Sequence, residues 1–203
     1  MAEKKINRFV ALGVFLTVLV VYLRTLSVTV VFWDVGEFCA ASRLLQVPHP
    51  PGSPLFILFA RVVSLIPFYS DIAHRMHAIS SVAGAICSTF LYLISVQLIS
   101  RFRGVPANLA DRLTVYGSSV IGALAVAFCG SFWDNSIEAE VDGLSMMFVS
   151  MILWIALHWW ERHEEPHSER YLLMICYLVG LSIGVHLLSL LIMFSIKIGR
   201  AHV

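Results

Sequence analysis

Long apolar runs alternate along this chain with short polar interruptions. Runs at 9–23, 76–99, 113–132, 143–160 and 171–195 approach the ~20 residues that carry a helix across a ~30 Å hydrocarbon core. They predict an all-α, polytopic transmembrane protein with about five spans. A further run, 54–67, is apolar but carries Arg61 in its middle and a proline at each end. Its length suits an interfacial or re-entrant helix better than a span, for which ~10–14 apolar residues are typical, and it is read as an interfacial helix in the first outer loop. The first run follows Lys4, Lys5 and Arg8 as a signal peptide would, but it lacks a small-residue cleavage site and continues through Arg24 to Trp33. It is therefore an uncleaved first span.

Charge orients these spans. Lysine and arginine concentrate on cytoplasmic loops, so Lys4, Lys5 and Arg8 place the N-terminus inside. With 54–67 interfacial, Arg101, Arg103 and Arg112 also fall inside; if it crossed, all three would lie outside. The polar stretches around Asp34 to His49 and Trp133 to Asp142 then share the outer face. Glu161 to Arg170, with Pro166, forms a cytoplasmic turn.

Composition agrees. Charged residues make up 13% of the 203 and hydrophobic residues 59%, with a mean hydropathy of +0.83, against ~25% charged in soluble domains. A net charge of +1 offers no basic footprint for nucleic acid. Four scattered cysteines form neither a zinc pattern nor a disulfide framework. Gly84, Gly122, Gly180 and Gly184 sit within spans, where glycine permits close helix approach. The tail Ile198-Gly-Arg-Ala-His-Val203 breaks the pattern and reads as a translated sequencing adapter, so 1–197 is taken as the N-terminal portion of a longer transmembrane domain and 198–203 as an adapter-derived tail.

Candidate chemistry lies in the outer loops. Asp34 and Glu37 are three residues apart and share a side if the chain there is helical. Pro48, Pro50 and Pro51 hold His49 on a stiff, non-helical corner. Glu138 and Glu140, two residues apart, cannot share one helical face. His186 lies in the outer half of the last run, and an ionisable residue within a span is a functional candidate by default. Solvated loop acids, helix-breaking prolines and a hydrogen-bonded neutral histidine account for the same residues.

Four ordered motifs, Asp34-Val-Gly-Glu37-Phe, His49-Pro-Pro-Gly52-Ser-Pro54-Leu, Ser136-Ile-Glu138-Ala-Glu140-Val and Gly180-Leu-Ser-Ile-Gly184-Val-His186, resemble the successive motifs of the DUF2723 family of multi-span membrane proteins. That family includes protein O-mannosyltransferases of the TMEM260 type and many bacterial members, especially from Bacteroidetes. More distantly, the acid motif followed by His-Pro-Pro is similar to the dolichyl-phosphate-mannose protein O-mannosyltransferases. Asp142 departs from the family, whose members commonly carry an aromatic there.

The resemblance implies a GT-C fold in a bacterial, C-terminally truncated member, residing in the cytoplasmic (inner) membrane with its active site toward the periplasm or exterior. It implies transfer of a sugar, mannose by analogy, from a polyprenyl-phosphate donor in the membrane lipid to Ser or Thr of an extracytoplasmic protein. Asp34 is then the leading candidate for the base that takes the acceptor's proton, with Glu37, Glu138 and Glu140 as further catalytic acids. His49, Arg75 and His186 are candidates for stabilising the leaving lipid phosphate. No cofactor beyond the lipid-linked sugar is implied, and no metal. A transporter would instead show broken helices and paired repeats at the midplane, and a non-catalytic envelope-assembly protein would show no transfer at all.

Overall fold

The structure, a computed structural model, describes residues 2–192, and these are helical with no strand among them. Three helices are long and apolar enough to span a membrane: α1 (Ala2–Arg24), α4 (Ile72–Arg103) and α8 (Val141–Glu161). Between them lie α2 (Val35–Leu44), α3 (Pro54–Ser64), α5 (Leu109–Arg112), a π-helical turn (Leu113–Gly117), α6 (Ser118–Ala127) and α7 (Gly130–Ile137); α9 (Glu169–Ile183) follows. Phe9, Leu12, Leu16 and Val20 are exposed on α1 at helical spacing. Such an apolar stripe facing away from the bundle fits contact with lipid, and the chain is a membrane protein.

Helix α4 is the central post. Asp71 caps its start by accepting the His74 N–H at 3.0 Å, and Gly104, at φ 84°, ends it. One side carries buried small residues, Ser80, Ser81, Ala83, Gly84 and Ser88, which let neighbouring helices come close. A methyl group on Gly84 would lie 2.5 Å from Ser136 Oγ and 2.9 Å from the Tyr22 ring. Of the other three span glycines, Gly184 is likewise crowded, 3.2 Å from Leu55 Cβ, whereas Gly122 and Gly180 have nothing within 4 Å. The packing role expected of all four therefore falls on two.

Two expected spans differ from their predicted form. The third is a bent pair, with α7 turned 66° from the segment ending at Ala127. The Ala127 carbonyl, freed at the bend, accepts the Tyr22 hydroxyl at 2.7 Å, and Tyr22, Phe128 and Trp133 pack ring to ring around it. The fifth, expected over 171–195, is α-helical to Ile183, breaks at 184–186 and resumes as a 3-10 turn at Leu187–Leu190. There the Gly184 carbonyl accepts the Leu55 N–H at 2.7 Å, one of the unpaired donors at the start of α3. Positions 193–195 and the tail 198–203 lie outside the described residues.

The predicted interfacial segment is α3. At 1.5 Å per residue it is about 16 Å long, half a bilayer core. Phe56, Ile57 and Ala60 are buried against the bundle, while Leu58, Phe59 and Val62 are exposed.

Candidate functional site

At one end of the spans, α2, the 45–53 loop and the corner before α8 meet. Asp34 stands at the N-cap of α2 and makes no side-chain capping bond, which leaves its carboxylate turned outward. Glu37 lies in the first helical turn, so the two acids share a side as expected. His49 closes the group. Its backbone N–H donates to Glu37 Oε1 at 2.6 Å, its ring Nδ1 lies 2.8 Å from Oε2, and its Nε2 lies 3.9 Å from Asp34 Oδ2. Phe38, one residue beyond Glu37, packs its buried ring against both His49 and Phe56, anchoring the imidazole from below.

All three side chains are about half exposed. Hydrogen bonds from His49 hold the Glu37 carboxyl below its usual range. The bond to Glu37 raises His49, with the charges of Glu37, Asp34 and Glu140 adding to it. His49 is thus a favoured cation inside an acidic ring.

Glu140 is the fourth member. Burial, followed by the charges of Asp142, Asp34 and Glu138, pushes its carboxyl up to about 7. Its backbone is fixed by one side chain: Ser80 Oγ donates to Glu140 O at 3.0 Å and accepts from Glu140 N at 3.2 Å. Ser81 Oγ donates to Ser136 O at 2.8 Å, so α4 holds the whole 136–140 corner. Glu138 is half-buried and raised first by burial, then by Asp134, and it interacts with Ser27. Glu140, in contrast, feels Asp34 and acts on His49. Of the two, Glu140 belongs to the Asp34 group.

One residue expected at the donor phosphate is engaged elsewhere. The Arg75 guanidinium is occupied by three carbonyls, of Tyr69, Ser64 and Ser70, clamping the corner between α3 and α4. A guanidinium satisfied in this way is a structural clip. His186 lies just past the end of α9, in the non-helical stretch after Gly184, and its Nδ1 accepts the Leu188 N–H at 3.1 Å, which puts the ring proton on Nε2. Through Gly184 and Leu55 its segment is docked to the start of α3, so the second and fourth motifs are in contact.

A metal would find Asp34, Glu37 and His49 suited by type, since one ligand atom from each lies within 4.8 Å of the others. In this arrangement both Glu37 oxygens already bond His49. Ser80 and Phe38 were not anticipated. A Ser-Ser pair inside an apolar span was the available signal for the first, and an aromatic following the acid motif for the second.

The model of the Protein O-mannosyl-transferase TMEM260 N-terminal domain matches residues 34–199, most of the chain and all four motifs. The chain belongs to this family. It is similar to the protein O-mannosyl-transferase TMEM260 of Mus musculus, 27% identical over 174 residues, covering 85% of this chain and 23% of that protein. It is also similar to the Dictyostelium discoideum protein of the same description, 26% identical over 159 residues, covering 77% of this chain and 18% of that protein. The chain thus spans about a quarter or less of the length of these curated relatives. No solved structure matches it.

Proposed function

We propose that this chain forms the N-terminal part of a membrane glycosyltransferase that moves a sugar, mannose by analogy with its relatives, from a polyprenyl phosphate to a Ser or Thr hydroxyl of an extracytoplasmic protein. The observation that carries this reading is the convergence of Asp34, Glu37, His49 and Glu140 at one end of the spanning helices. A lipid-phosphate sugar keeps its tail in the bilayer and its head at that depth. The positive-inside tendency supports an outward-facing position for this end, the periplasm or exterior in this reading.

Asp34 takes the proton from the acceptor hydroxyl as it attacks the anomeric carbon, because its carboxylate is open and uncapped while Glu37 is engaged by His49. Glu37 positions His49. His49, held as a cation, faces the leaving phosphate. Glu140 adds negative charge beside Asp34 as it ionises. No metal is required, and chelation should leave transfer unchanged.

The test is transfer of labelled sugar from polyprenyl phosphate to an acceptor peptide by the full-length protein in reconstituted membranes. Asp34→Asn keeps shape and removes basicity, so transfer should fall by ~10²–10⁴-fold with donor binding unchanged. Near-normal turnover would move the role to Glu140. No transfer by the unmutated protein with any polyprenyl-phosphate sugar would return the chain to the transporter or assembly readings.

A further inference from the structure

The far end of the bundle carries a second site. Helices α1 and α8 each pack along α4, and near the C-terminal end of α4 all three line a cavity of about 1210 Å³. Gln97 on its wall and Ser80 at the acid site are seventeen residues apart on one helix, about 25 Å at 1.5 Å per residue. The two sites are separated by most of a bilayer.

The cavity is basic. Lys4 and Arg8 reach it from α1, Arg101 from α4 and Arg162 from just past α8, against the acid Glu161. Nearby arginines are matched with acids: Arg112 has Glu3 at 2.6 Å and Arg162 has Glu165 at 3.8 Å. Lys4, Arg8 and Arg101 make no ion pair among the described residues. Arg101 instead lies over the Trp160 ring, 5.6 Å from its centre, so its guanidinium is braced while its donors stay available. Both amide atoms of Gln97 are buried without a hydrogen-bond partner, a costly state for a side chain with three or four bonds to make.

We infer that this cavity binds the phosphate headgroup of an anionic phospholipid in the cytoplasmic leaflet. Three unmatched cations supply the charge, and Gln97 supplies a neutral donor and acceptor for the headgroup or its water. The shape favours a lipid over a soluble phosphate. Leu93 and Ile155 give the cavity an apolar wall along which acyl chains can run; Trp154 lines it deeper, against Phe90, and Trp160, at the end of α8, stands where indole rings settle at headgroup level. Basic pockets between spanning helices on this side of a membrane are a recurring headgroup site. The inference rests on helix packing and charge, not on the transferase reading, and its test needs no activity.

The full-length protein would be reconstituted with phosphatidylglycerol or phosphatidylcholine and the lipid retained on it measured by native mass spectrometry. Phosphatidylglycerol should be retained selectively. Arg8→Gln and Arg101→Gln should each weaken that retention by about fivefold, the effect of one cation near an anionic surface. Arg103→Gln removes a charge from the same end but outside the cavity and should change retention less than twofold. Equal retention of both lipids would overturn the assignment without any variant being needed, and so would an equal loss in Arg103→Gln, which would mean diffuse surface charge. Displacement of the lipid by millimolar inorganic phosphate would identify a soluble anion as the occupant instead.

Discussion

Glu37 grips His49 twice, taking the backbone N–H on one carboxylate oxygen and facing the ring Nδ1 with the other. One side chain thereby sets both where the loop lies and which charge its imidazole carries. Because the bond raises His49 and lowers Glu37, any stability the pair contributes is present between the ordinary carboxylate and histidine ranges; it is lost as pH rises through the raised His49 pKa and as pH falls through the lowered Glu37 one. Diethyl pyrocarbonate modifies only neutral imidazole, so the midpoint of His49 modification against pH, followed by mass spectrometry, should lie above that of an ordinary histidine. In Glu37→Gln it should fall back. An unchanged midpoint would mean that the ring does not depend on Glu37.

Glu140 predicts a slope of the same sign as that of His49, at lower pH. Its carboxyl is raised to about 7, so the folded chain keeps a proton that the unfolded chain releases in the ordinary carboxylate range. Stability should fall as pH rises from that range to about 7 and level off above it. Glu140→Gln should flatten this part of the profile, measured as thermal unfolding in detergent between pH 4.5 and 8. A variant as pH-dependent as the parent would assign the slope to another group.

Packing around Gly84 gives a prediction about the fold. Gly84→Ala forces a methyl group against Ser136 and Tyr22 and should destabilise by about 1–3 kcal/mol, the usual range for overpacking. Gly122→Ala, with nothing within 4 Å, should be neutral or slightly stabilising, because alanine favours the helix. Denaturation midpoints of the two variants in one detergent make the comparison.

Orientation can be tested directly. In a background lacking Cys39, Cys87, Cys129 and Cys176, a cysteine at position 135 should react with an impermeant reagent from outside, and one at 103 only after permeabilisation. The reverse pattern would mean that α3 crosses the membrane.

Much of this was legible in the sequence. Apolar length identified α1, α4 and α8, because a spanning helix is largely a matter of composition. The proline-bounded run at 54–67 disclosed a short separate helix, and the spacing of Asp34 and Glu37 disclosed that they point together. The break after Ala127 was not legible, since Phe128 and Cys129 are as apolar as their flanks and the bond that stabilises the bend comes from Tyr22, far away in the chain. Arg75 looked like a phosphate ligand because a sequence displays its charge and conceals the carbonyls of Ser64, Tyr69 and Ser70 that surround it. Glu138 and Glu140 could not be told apart until Ser80 was seen to fix the backbone of Glu140.

The bond from Leu55 N–H to the Gly184 carbonyl has a consequence for biosynthesis. The start of α3 emerges early, whereas the residue that accepts its free donor follows the last turn of α9. While the intervening helices enter the membrane, the His-Pro-Pro loop is fastened on one side only, by Glu37. The second fastening waits for Gly184, so the acidic pocket is completed only after α9 has emerged.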